Sequence, residues 1–195
     1  MALFRTLNSP EPLPPIVGDG VLLRTPQMAD YAAWAAVREE SRAFLTPWEP
    51  TWPTDDLSRS AFRQRMKRYA EDLLTDQAYP FFLFRKQDNT LIGGLALANI
   101  RRGVAQAASL GYWIGHSYSR QGYMTAAVRA LLPAAFDVMR LHRVEAACIP
   151  TNLASVRLLE RSGFRREGYA RAYLCINGVW QDHLLFAQLR SDPRV

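Results

Sequence analysis

Apolar residues recur along this chain with two periods, and the switches between them mark out its elements. Met124, Ala127, Val128, Leu131, Leu132, Ala135, Phe136 and Met139 follow the i, i+3, i+4, i+7 spacing of one buried helix face. A second stripe, Ala61, Phe62, Met66, Tyr69 and Leu73, runs through a helix predicted over 57–74. Trp34 and Val37 lie on another over 28–44. A shorter helix, Leu153 to Arg161, opens on Asn152, a good N-cap residue, and stops at Ser162-Gly163, where glycine suits a left-handed C-cap. Strand-type runs cover Gly20–Thr25, Tyr79–Phe84, Leu91–Ile100, Ala105–Ile114 and Leu141–Ile149, with turns at Lys86–Thr90 and Arg101–Gly103. A closing hairpin pairs Glu167–Cys175 with Val179–Leu189 about Asn177-Gly178, a dipeptide that favours a type I′ turn. Pro133 is expected to kink its helix near Arg129. Thr46–Thr54, with three prolines and two tryptophans, reads as a loop, and Met1–Asp19 as a Pro-rich arm. The class is α+β, with a mixed sheet of about six or seven strands and about four helices.

Composition narrows this. A chain of 195 residues with 49% hydrophobic content suits one domain over 1–195 with a single core. No run reaches the length of a membrane span, and Met1–Pro15 lacks a signal-peptide core, so a cytoplasmic protein without membrane attachment is expected. Cys148 and Cys175 have no metal-like spacing and read as reduced core thiols; His116, His142 and His183 show no ligand spacing and read as turn or surface residues. No metal site is expected. The net charge of +6 is carried almost wholly by arginine, since Lys67 and Lys86 are the only lysines. Such a surface suits cofactor phosphates, an acidic partner or ribosomal RNA.

Residues 111–126 carry the chemistry. Gly111-Tyr112-Trp113-Ile114 ends a strand, and the loop with Arg120-Gln121-Gly122 opens the most periodic helix. Bare backbone amides at a helix N-terminus, beside an arginine, make an anion site suited to a diphosphate. The chain holds neither G-x-x-x-x-G-K-[ST] nor G-x-G-x-x-G after an early strand, which removes a P-loop and disfavours a dinucleotide fold. The remaining common user of such a cradle is coenzyme A.

With Leu110-Gly111-Tyr112-Trp113-Ile114, Gln121-Gly122-Tyr123-Met124-Thr125, Asn152-x-x-Ser155, Leu158-Leu159-Glu160-Arg161-Ser162-Gly163-Phe164 and Ile176-Asn177-Gly178-x-Trp180-x-Asp182-His183, the chain resembles the GNAT superfamily of acyl-CoA N-acyltransferases. Within it, the chain is most similar to the RimJ/RimL-type branch, whose members acetylate ribosomal-protein N-termini. Leu22-x-Arg24-x-Pro26 and Pro47-Trp48-Glu49-Pro50 extend the match over nearly the whole chain. It departs from the superfamily's Q/R-x-x-G-x-G/A loop at Ser119 and Met124, keeping Gly122. Ser109 and Ala126 stand where relatives often carry glutamate, and Leu159 where many carry a tyrosine.

The resemblance implies a GNAT-like, mostly antiparallel sheet whose central strands splay, acetyl-CoA as cofactor, and direct attack by a primary amine. Tyr112, Trp113 and Ile114 would line the thioester arm, with a backbone N–H near Trp113 or Ile114 on the acetyl oxygen. Ser119, Arg120, Gln121, Gly122, Tyr123, Met124 and Thr125 would hold the diphosphate. Asn152 would bind the pantetheine, and Ser155 would protonate the departing thiolate. Glu49, Glu167 and Asp182 are candidates for a base. Trp48, Glu49, Tyr173, Trp180 and Asp182, with Trp52, are candidates for a substrate slot. The implied acceptor is the N-terminal alanine or serine of a ribosomal protein, with ribosome or RNA contact through arginines. Two alternatives stay open, a polyamine-like small amine and a non-catalytic acyl-CoA-binding, ribosome-associated protein. The sequence leaves monomer and dimer undecided.

Overall fold

The computed structural model describes residues 14–194, so most of the Pro-rich arm expected over Met1–Asp19 lies outside the described residues. Its described end carries a two-residue strand, β1 (Ile16–Val17), that the sequence did not predict; it pairs with β2 (Val21–Arg24). Then follow α1 (Tyr31–Glu40), α2 (Arg42–Leu45), α3 (Arg59–Leu74), β3 (Tyr79–Arg85), β4 (Thr90–Arg101), β5 (Ala107–Ile114), α4 (Tyr123–Pro133), β6 (Arg143–Cys148), α5 (Leu153–Arg161), β7 (Arg165–Ile176) and β8 (Val179–Leu189). The sheet thus has eight strands, in the order β1-β2-β3-β4-β5-β6-β8-β7. That is larger than the expected six or seven, with the mixed α+β class unchanged. The expected helix over 28–44 is broken at Ser41, whose hydroxyl accepts the His116 amide at 2.9 Å.

Every neighbouring pair is antiparallel except β5–β6. That parallel pairing covers only Ala107↔Arg143, Ala108↔Val144 and Ser109↔Glu145. Beyond Ser109 the two strands part, although β5 runs on to Ile114 and β6 to Cys148. The split is what positions the site.

Both faces of the sheet are covered, which explains why β3 reads as an unbroken apolar run rather than an alternating one. Phe81 and Leu83 pack into the cluster formed with α4, which includes Val128, Leu131 and Phe136. Phe82 and Phe84 pack into a second cluster with Trp34, Val37 and Phe62 from α1 and α3. Pro133, expected to kink its helix near Arg129, is the last residue of α4. The helix keeps its α form to Pro133, and the following turn widens to a π-type turn over Ala134–Val138, closed by Met139 N–H to the Ala134 carbonyl at 2.9 Å. The change of helix type begins directly after the proline.

Candidate active site

The loop before α4 turns on two left-handed residues, Arg120 (φ 61°) and Gly122 (φ 87°). The first helical bond is donated by Ala126 N–H to the Gly122 carbonyl at 3.0 Å. The amides from Arg120 through Thr125 therefore have no main-chain acceptor among the described residues. A Cβ built at Gly122 would meet nothing within 4 Å, so the backbone is open to a ligand. Ser119 differs from its neighbours, because its amide is used by the His116 carbonyl at 3.0 Å. Gln121 braces the loop through its side-chain amide to the Ser117 carbonyl at 2.8 Å.

The β5–β6 split opens beside this loop. Gly115 donates its N–H to Ile92 on β4 at 2.8 Å. Strand alternation then turns the Ile114 and Tyr112 amides the other way, toward the split. Of the two residues the sequence offered for an amide donor, the geometry favours Ile114 over Trp113. Across the split, Asn152 caps α5 by accepting the Ser155 amide at 3.1 Å. The hydroxyls of Tyr112 and Ser155 lie 2.6 Å apart. Burial holds the Tyr112 phenol above its ordinary pKa, opposed in part by Ser155, and burial likewise raises the Cys148 thiol. The Tyr112 and Cys148 protons are therefore retained at neutral pH. Leu159, at the position of the relatives' tyrosine, is fully buried.

Beside β5 lies a cavity of about 260 Å³ lined by Pro26, Tyr69, Phe82, Ala96, Gly111, Trp113 and others. Glu49 is the one charged side chain among its described lining residues. Arg38 grips Glu49 with both terminal nitrogens, at 2.8 Å to Oε1 and 2.7 Å to Oε2, and Trp52 Nε1 donates to Oε2 at 2.8 Å. The Arg38 guanidinium lies 4.0 Å from the centre of the Trp52 ring and 5.0 Å from that of Trp113. Gly94 makes room for this stack. A Cβ there would come within 2.7 Å of Trp113 Nε1, so only glycine lets the indole lie against β4.

Of the residues proposed for a substrate slot, only Glu49 lines this cavity. Trp48 is partly exposed on a 3-10 turn and Trp180 is 65% exposed on the hairpin. Tyr173 packs edge-on to His183 at 5.7 Å. The hairpin tip does reach the Glu49 loop, where Asn177 N–H donates to the Glu49 carbonyl at 2.9 Å. Glu167 is held bidentately by Arg143, whose hydrogen bonds keep its carboxyl below the usual range. Asp182 pins a bulge in the hairpin, accepting from the Tyr169 hydroxyl and, at 2.7 Å, from the amide of Ala172, a left-handed residue (φ 45°). The Tyr169 bond is the main reason its carboxyl stays below the usual range. Asp182→Ala is therefore expected to speed hydrogen exchange at the Ala172 amide by about tenfold or more, as that local bond is lost, with the response to acetyl-CoA unchanged. Exchange measured by NMR tests this, and a slowed cofactor response would return Asp182 to the site.

Two side-chain expectations are corrected. His183 is buried, its Nδ1 3.0 Å from the Gln181 carbonyl, rather than a turn or surface residue. Cys175 is exposed on β7, not in the core, while Cys148 is buried. Arg38 and Trp52 complete the Glu49 cluster, and sequence reasoning gave Arg38 no role. The signal was present: Arg38 continues the buried Trp34–Val37 stripe of α1, where a charge needs a partner.

Among the described residues no group of side chains could hold a metal ion, and no helix is long and apolar enough to cross a membrane. The ribosomal protein uS5-alanine N-acetyltransferase of Escherichia coli (strain K12) is 36% identical over 85% of this chain and 82% of its own length. The ribosomal-protein-S5-alanine acetyltransferase of Vibrio fischeri superposes with a TM-score of 0.85 at 30% identity, over 92% of this chain and 98% of its own. Mycobacterium smegmatis RimJ, in complex with CoA-disulfide, gives 0.84 at 31%, over 91% and 86%. Residues 21–165 match the acetyltransferase (GNAT) domain, and the chain belongs to that family of acetyl-CoA-dependent N-acetyltransferases.

Proposed function

We propose that this N-acetyltransferase acts on the α-amine of a protein N-terminus, alanine or serine, with a ribosomal protein in the cytoplasm as its natural acceptor. The observation that carries the reading is the cavity on β5, apolar but for Glu49. A peptide terminus brings one amine and a short apolar side chain, which one carboxylate and an aromatic wall match. A polyamine brings several cations and would need several carboxylates. The names of the Escherichia coli and Vibrio fischeri relatives point to the same acceptor class.

Acetyl-CoA supplies the thioester carbonyl and a thiolate leaving group. The amides of Arg120 through Thr125 would hold its diphosphate, and Asn152 would contact the pantetheine arm. The Ile114 amide would donate to the acetyl oxygen, where one preorganised donor is worth roughly 3 kcal/mol. Ser155 would give its proton to the thiolate as the carbon–sulfur bond breaks and regain one through solvent from the attacking nitrogen, so that the amine's proton ends on sulfur. Glu49 accepts an N–H of the attacking amine and orients its lone pair. An α-amino group with a pKa near 7.7–8.0 is about a tenth neutral at pH 7, so the attack does not demand a strong base.

Turnover on peptides beginning with alanine or serine is expected to exceed turnover on spermidine at least about tenfold in kcat/KM, because mismatched charge in a fixed slot costs a large part of the transition-state binding. Parallel steady-state assays of thiol release decide this. A preference for spermidine would replace the peptide acceptor with a polyamine.

A further inference from the structure

Arg38 is only 7% exposed, and its Nε has no hydrogen-bond partner. A buried ion pair is commonly no more stabilising than an apolar pair of the same volume. Leucine or methionine would continue the Trp34–Val37 stripe of α1 at less desolvation cost. Packing therefore does not account for Arg38, and its place beside the cavity calls for a chemical reason.

That reason lies in what an acceptor amine needs. Attack on a thioester requires a free lone pair on nitrogen, so an ammonium ion is inert. A lone carboxylate in an apolar slot would bind the ammonium form best and raise the amine's pKa by about one to three units. Glu49 would then hold its substrate in the unreactive state. Arg38 cancels that charge. Of the roughly four lone-pair positions on a carboxylate, Arg38 and Trp52 take one on Oε1 and two on Oε2. The position left on Oε1 is enough to accept one N–H.

We infer that Arg38 is a positioning residue that keeps the acceptor unprotonated, letting Glu49 orient the amine without trapping it as an ammonium ion. The inference rests on the cavity being the acceptor slot. Its surroundings leave Arg38 in charge of the balance. The other titratable residues lining the cavity are Tyr69 on α3 and Tyr112 on β5, whose hydroxyl pairs with Ser155, and no second carboxylate or cation stands among its described lining residues. Behind Trp52, Arg42 of α2 lies 4.9 Å from the ring and is itself paired with Glu39. The stack between Trp52 and Trp113 keeps the guanidinium from swinging away from Glu49.

The test is the pH dependence of kcat, which reports ionisations in the enzyme–substrate complex, with acetyl-CoA and an alanine-starting peptide. Arg38→Met exposes the Glu49 charge, so the rising limb should move to higher pH by about one unit or more, and peptide KM at pH 7 should fall. Arg38→Lys should recover most of that shift. Glu49→Gln leaves Arg38 unbalanced, so its limb should move the opposite way, to lower pH, with a raised KM. A packing defect would not displace the profile in opposite directions for the two partners. Profiles that stay within about 0.3 unit of the wild type, or that move the same way, overturn the inference. Should Arg38→Met fail to fold, Glu49→Gln decides alone, and an unmoved or alkaline-shifted limb overturns it. A wild type that turns over no N-terminal peptide removes the acceptor reading and this inference together; turnover with immobile profiles removes the inference alone.

Discussion

Ser155→Ala is expected to lower kcat by roughly 10²–10⁴-fold, the usual contribution of a positioned general acid, while acetyl-CoA affinity stays within a few-fold. The geometry separates these effects. What Asn152 caps is the Ser155 backbone amide, at 3.1 Å, and alanine keeps that amide, so α5 should hold its start. Only the hydroxyl is lost, and it matters once the thioester is breaking. Tyr112, its hydroxyl 2.6 Å from Ser155 Oγ and its proton held by burial, can donate to Ser155 when the serine hydrogen turns toward the split. No hydroxyl at the Leu159 position can substitute, because that side chain is apolar and fully buried. Steady-state kinetics beside a thermal-shift titration with acetyl-CoA check both halves. A kcat within about twofold of the wild type would reduce Ser155 to its place in the helix cap.

The same contrast between backbone and side chain explains how much the sequence disclosed. The α4 stripe from Met124 to Met139, the Asn177-Gly178 turn and the Asn152 cap are local patterns, and each lies where its residues predict. Asn177 and Gly178 both take positive φ, 45° and 80°, as a type I′ turn demands. β1 escaped because two residues after a proline pair carry no usable period. The break at Ser41 escaped because its partner, the His116 amide, is 75 positions away. The candidate site divides in the same way. The proposed phosphate cradle is contiguous in sequence and could be read from it, whereas the proposed acceptor cavity draws on β3, β4, β5, α3 and the 46–54 loop and could not. Asp182 sits in a motif beside Trp180, but the bulge at Ala172 absorbs its carboxylate, and no spacing rule announces a bulge. Within the Pro-rich loop the structure favours Trp52 over Trp48, since only Trp52 reaches Glu49, and that choice depends on how three prolines fold the intervening chain.

Gly122→Val is expected to abolish stabilisation by acetyl-CoA. In the wild type, a ligand at a hundred times its dissociation constant adds about 2.7 kcal/mol. For a protein of this size that raises Tm by roughly 5–10 °C. Valine at Gly122 brings two separable penalties. Its backbone is left-handed, at φ 87°, where a β-branched residue is a genuine outlier, so Tm without ligand should fall by a few degrees, for a strain of about 1–2 kcal/mol. Its Cβ would meet no atom beyond its neighbours in the chain within 4 Å, so the side chain would project into the space that the amides of Arg120 through Thr125 leave for a diphosphate. Gly122→Asn separates the two effects, because asparagine visits the left-handed region at lower cost but still projects into the cradle. Its Tm without ligand should lie closer to the wild type, with the acetyl-CoA response still lost. Thermal denaturation of the three proteins with and without millimolar acetyl-CoA measures both quantities. A valine variant that keeps the full ligand shift would place the diphosphate somewhere other than this loop, and a wild type indifferent to acetyl-CoA would remove the cradle as a cofactor site altogether.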